Sequence, residues 1–134
     1  MRDAPEYLTQ VRALIIADPG VIHLNVVREE AQGNLGMFRY RLTLRDSGLL
    51  EAFELFEVTQ GQVHVKKYSF HWQNAVGRLR KRWDNAAHRP ETTTHPHHVH
   101  DGSDLNVLGH GPITIEQVLA IVTKEGTDVP NDEN

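Results

Sequence analysis

The sequence predicts an α+β domain, an antiparallel β-meander of about five strands packed by an N-terminal and a C-terminal helix. Three observations predict it. Segments near the two ends are amphipathic and carry helix-capping patterns. The middle of the chain alternates apolar and polar residues at period two. Short turn signals separate those alternating runs.

Residues 5 to 17 have helical spacing, with Tyr7, Leu8, Val11, Leu14 and Ile15 on one face. Asp3 and Glu6 have the separation of a capping box, and Pro5 suits an early helical position. Pro19 and Gly20 then break the pattern. "VIHLNVV" is short and β-branched, and Gly33 to Gly36 form a turn signal. In "MFRYRLTLR", Phe38, Tyr40, Leu42 and Leu44 fall on one side and Arg39, Arg41, Thr43 and Arg45 on the other. That is a strand with one buried and one wet face. "LLEAFELFEV" fits helix or strand, and its short flanking turns favour strand. "VHVKKYSFHWQ" sets Tyr68, Phe70 and Trp72 on one face, and "RLRKRWDN" is the return strand. Residues 86 to 111 show little periodicity and are expected to be loop with one short strand at most. Thr114 and Gln117 repeat the capping pattern ahead of an apolar stripe at Ile115, Val118, Leu119 and Val122, and Gly126 is expected to stop that helix. Residues 1–126 form the expected single domain, with 127–134 a polar tail.

Composition narrows the function. There are no cysteines, which removes disulfides, thiolate metal sites and cysteine nucleophiles together. No apolar run is long enough to span a membrane, and the N-terminus lacks a signal-peptide core, so a cytoplasmic location is expected. The formal net charge of −4 hides an asymmetry. Residues 62 to 90 carry seven Lys or Arg against Asp84 alone. A basic ribbon within an acidic chain attracts polyanions, although a solvated strand face is the commoner reason for one.

Five of the nine histidines fall between His88 and His100, beside Arg82 and Asp84. One chemistry open to them is metal binding, with His97, His98, His100 and Asp84 as ligands for zinc, nickel or manganese. The alternative needs no cofactor. RNA cleavage takes a base for the 2′-hydroxyl, an acid for the departing oxygen and a cation for the phosphorane. His88, His98 and His100 would share the proton transfers, Arg82 would stabilise charge and Asp84 would orient a histidine or the arginine. Tyr68 and Trp72 would stack a base, and Lys66, Lys67 and Arg80 would hold phosphates. A non-enzymatic nucleic-acid or protein-binding module accounts for the same basic ribbon.

Three segments carry a resemblance: Tyr68-Ser69-Phe70-His71-Trp72-Gln73, Arg82-Trp83-Asp84-Asn85-Ala86-Ala87-His88-Arg89, and Pro96-His97-His98-Val99-His100. Together they resemble the TumE family of toxin–antitoxin proteins, most strongly over residues 66 to 100. This chain has Ala87 where that family usually has proline, and Arg89 in place of a second histidine. The resemblance implies a small cytoplasmic toxin with a cognate antitoxin as partner. By analogy with other compact toxins it points to an endoribonuclease acting on RNA without an obligatory metal. A homodimer is a further expectation, through an exposed edge strand.

Overall fold

A computed structural model describes residues 2–86 and 96–128. Helix α1 (Ala4–Ala17) leads into β1 (Val21–Gln32), β2 (Leu35–Leu44), β3 (Leu49–Thr59), β4 (Gln62–Gln73), β5 (Leu79–Asp84), β6 (His98–Asp101) and β7 (Val107–Gly109), and helix α2 (Ile115–Asp128) closes the chain. The strands lie in sequence order in one antiparallel sheet.

The α+β meander with terminal helices is therefore as expected, but the sheet has seven strands rather than about five. The two extra strands, β6 and β7, come from the stretch expected to hold one at most. They are four and three residues long, too short to show a period. α2 also runs through Gly126 to Asp128. A glycine inside a helix costs only about 1 kcal/mol relative to alanine, which slows a helix without ending it.

Local chemistry explains the elements. Asp3 caps α1, its side chain accepting from the Glu6 amide at 3.0 Å. The Thr114–Gln117 box forms in both directions. The Gln117 amide donates to Thr114 Oγ1 at 3.2 Å, and the Thr114 amide donates to Gln117 Oε1 at 3.0 Å. Between β3 and β4 the two-residue turn sets Gln60 and Gly61 at φ of 52° and 76°. Two positive φ values match the right-handed twist of the flanking strands.

Residues paired across antiparallel strands share a face. Phe38, Tyr40, Leu42, Leu50, Ala52, Phe56, Phe70, Trp72, Trp83 and Val99 are thereby set on one side, and all are buried. Ala4, Leu8, Val11 and Ile15 of α1, and Ile115, Val118, Leu119 and Val122 of α2, complete this core. Glu54 lies on the same side, 1% exposed, and accepts a hydrogen bond from the Tyr7 hydroxyl at 2.7 Å. Burial pushes its carboxyl up to about 7. No helix among the described residues is long and apolar enough to cross a membrane.

Candidate functional site

The face away from the helices carries the candidate site. Register sets two rows of side chains across it. One runs Arg39, Phe53, Ser69, Asp84, His98, and the other Arg41, Glu51, His71, Arg82, His100. Where the rows reach β5 and β6, the pairs Asp84–His98 and Arg82–His100 lie side by side. The antiparallel step from β5 to β6 is what brings residues 14 to 18 apart in sequence into contact.

Asp84 is the hub. Its Oδ1 lies 2.9 Å from His98 Nε2, and its Oδ2 lies 3.7 Å from His100 Nε2 and 3.3 Å from Arg82 Nε. Asp84 Oδ1 also accepts from the Ala86 amide at 3.0 Å, so the same carboxylate turns the chain at the end of β5. Arg82 reaches His100 Nε2 through Nη2 at 3.1 Å and Asp104 Oδ1 through Nη1 at 3.4 Å. The two imidazole rings meet edge to face, with centroids 4.9 Å apart.

Backbone carbonyls settle which nitrogens carry protons. His98 Nδ1 lies 2.9 Å from the Pro96 carbonyl, and His100 Nδ1 lies 3.1 Å from the Asp104 carbonyl. A carbonyl only accepts, so both Nδ1 atoms are donors and both Nε2 atoms point at the hub. His100 Nε2 then accepts from Arg82, which makes His100 the neutral tautomer. Burial holds the His100 imidazole below its ordinary range, and the Arg82 charge adds to that.

Exposure divides the cluster. The His98 and His100 side chains are 0% and 3% exposed and Asp84 is 7%, whereas Arg82 is 27% exposed. Arg82 is thus the member of the cluster that meets solvent.

The other expected site residues are dispersed. Tyr68 and Trp72 belong to the core on the helix side, 5% and 1% exposed, and neither presents a ring face to a base. The Tyr68 hydroxyl meets His97 Nδ1 at 2.9 Å, and the two rings stack with centroids 5.8 Å apart. Burial, with the Asp84 charge behind it, pushes the Tyr68 hydroxyl up to about 12. His97 is out of phase with His98 and His100 and does not join them around Asp84. The basic ribbon divides as well. Lys66 pairs with Glu57 at 3.2 Å, Arg80 lies over the Trp72 ring at 4.3 Å, and Lys67 is exposed on the open face. His88 lies outside the described residues.

Two participants were not among the expected site residues. Asn85 ties β4 to the end of β5. Its Oδ1 accepts from the Tyr68 amide at 3.0 Å, and its Nδ2 donates to the Lys66 carbonyl at 3.1 Å. Asp104 supports Arg82 from the β6–β7 turn, and no spacing pattern announces it.

Three donor atoms, one each from Asp84, His98 and His100, lie within 4.8 Å of one another, a set able to hold a divalent ion. The guanidinium of Arg82 already occupies His100 Nε2 and one flank of the carboxylate. A dication there would have to displace it or sit beside its charge.

A protein-family model described as "Toxin TumE" matches residues 11–128. No curated protein and no solved structure matches the chain.

Proposed function

The chain belongs to the TumE toxin family, and from that membership we propose that it is the toxin of a toxin–antitoxin pair and an endoribonuclease that needs no metal. The observation that carries this reading is the part-exposed Arg82 guanidinium, held by Asp84, His100 and Asp104 in front of two buried imidazoles. A phosphodiester is the substrate class that such a cation, backed by an imidazole base, suits best.

The roles follow from the contact between Arg82 and His100 Nε2. A phosphate drawn to Arg82 lifts Nη2 from His100 Nε2 and frees that lone pair. His100 then takes the proton of the 2′-hydroxyl as the oxygen attacks phosphorus. Arg82 stabilises the phosphorane. Asp84 and His98, paired behind it, keep the guanidinium and the His100 ring aligned. The leaving 5′ oxygen needs a second proton-transfer group, and His98 is held against Asp84 behind Arg82. We therefore assign the donor to His88, on the sequence motif. A cognate antitoxin would silence the protein.

The test is cleavage of labelled RNA by wild type, Arg82→Ala and His100→Ala, with and without EDTA. Cleavage that survives the chelator and disappears in both variants is the expected result. One observation favours a second reading. Both imidazoles direct Nε2 at one carboxylate with Nδ1 tied to a carbonyl, as metal-binding histidines do. Loss of cleavage with EDTA, restored by zinc, nickel or manganese, would decide for it. Salt-dependent RNA binding without turnover would instead mark a binding module.

A further inference from the structure

We propose that Phe53 and Arg39 form a nucleobase-stacking subsite on the open face of the sheet, holding one unpaired base of a single-stranded RNA beside the Arg82 cluster. The proposal rests on the ribonuclease reading for its ligand class.

Phe53 is the feature that packing leaves unexplained. The chain has nine Phe, Tyr and Trp residues. Seven are buried on the helix side, and Tyr7 of α1 packs against the same core. Of the nine, Phe53 alone stands on the opposite face, half-buried, with Arg39 and Ser69 beside it across the strands and Glu51 and Leu55 along its own. A phenyl ring there fills no core, and the Arg39 guanidinium over one of its faces extends it as a flat surface.

Its surroundings suit a nucleotide. The Arg39 guanidinium lies 4.7 Å from the Phe53 ring centroid, so ring and cation together present a π-stacking surface. Arg28, Arg41, Lys66 and Arg82 on this face each pair with a carboxylate. Among the described residues, Arg39 and Lys67 form no ion pair. Lys67 pairs in register with Leu55, two residues along β3 from Phe53. Two cations without carboxylates on either side of an aromatic ring complement phosphates that flank a stacked base.

Position links this surface to the cluster. Phe53 pairs with Ser69, and Ser69 pairs with Asp84. Neighbouring strands are about 4.8 Å apart, so Phe53 lies roughly 10 Å from Asp84, within reach of one or two extended nucleotides. Ser69, with its short side chain, puts little between them. Unpaired, splayed bases can lie flat on the aromatic side chains of a sheet face, whereas paired bases in a duplex keep their faces stacked on one another.

The test is binding of a single-stranded RNA oligonucleotide in which every 2′-hydroxyl is O-methylated, read by fluorescence anisotropy. It compares wild type with Phe53→Ala, Phe53→Leu, Phe53→Tyr and Arg39→Ala, each checked for an unchanged melting curve. Phe53→Ala and Phe53→Leu should weaken binding about tenfold or more, and Phe53→Tyr should bind within about twofold of wild type. Leucine binding as tightly as phenylalanine would overturn the proposal, as would equal affinity for a duplex of the same sequence or no binding by wild type. The O-methylated strand cannot be cut, so cleavage is scored separately on ordinary RNA. Phe53-dependent binding without any cleavage would sink the ribonuclease reading and leave the subsite standing. Arg82-dependent cleavage with no effect of Phe53 would do the reverse.

Discussion

Asp84 on β5 and His98 on β6 face each other in register, their carboxylate and imidazole 2.9 Å apart and both nearly closed to solvent. Removing one partner strands the other in a poorly hydrated site. Asp84→Ala should cost roughly 3 kcal/mol of stability by chemical denaturation. Asp84→Ala with His98→Ala together should cost less than the sum of the singles, by about 1 kcal/mol or more. Additive losses would mean that the two residues do not act as a pair.

Arg82 is the exposed member of the cluster, and its loss should spare the fold. Arg82→Ala is expected to melt within a few degrees of wild type while RNA cleavage and growth inhibition fall about 100-fold or more. Arg82→Lys should not restore activity, because one ammonium cannot span Asp84, His100 and Asp104 as the planar fork does. Full activity in Arg82→Lys would reduce the residue to a point charge.

His100 makes the pH dependence specific. Its imidazole is held below the ordinary value of 6.5 by burial, and the base must be neutral to act. Cleavage should therefore stay high as pH falls through 6.5 and decline only below it. A kcat/KM profile whose acidic limb lies at or above 6.5 would remove His100 from the role of base.

Glu54 carries a separate linkage. Its carboxyl sits at about 7 in the folded chain against 4.5 ordinarily. The protonated form is the one the fold prefers. Its contribution is full below 4.5 and is lost as pH rises to about 7. Glu54→Gln keeps an acceptor for the Tyr7 hydroxyl but has no charge to bury. The variant should gain about 3 kcal/mol over wild type between pH 4.5 and pH 8, at about 1.4 kcal/mol per pKa unit. Denaturation of both proteins at the two pH values checks this, and a gap that does not change with pH would refute it.

Gly36 fixes how α1 seats on the sheet. A Cβ there would lie 2.6 Å from Phe56 Cζ and 3.1 Å from Ala4 Cβ. Both neighbours are fully buried, so neither moves freely. Gly36→Ala should cost about 1 to 3 kcal/mol, read as a lower denaturation midpoint. An unchanged midpoint would show that α1 can slide to make room.

Sequence periodicity was a good guide wherever one face of a strand is wet. β2 and β4 alternate cleanly, and their buried residues are those that the pattern marks. The pattern also held a signal that went unread. Glu54 shares the phase of Leu50, Ala52 and Phe56, so it had to enter the core. β6 and β7 stayed hidden because three or four residues cannot display a period. In β6, moreover, the buried residues on the open face are histidines rather than aliphatics. The cluster itself was half legible. Residue types flagged Arg82, Asp84, His98 and His100, but only strand register could bring them together and separate His97. Tyr68 and Trp72 stay ambiguous in sequence, because an aromatic at period two looks the same whether it faces a core or a ligand.

The consecutive strand order bears on when the cluster can form as the chain is made. Each strand needs only its predecessor to pair, so β1 to β4 can assemble on the ribosome while the rest is still being translated. The cluster cannot exist at that stage. Asp84 closes β5, and its imidazole partners arrive only with β6. A nascent chain that has not yet reached residue 98 therefore lacks both buried imidazoles of the cluster.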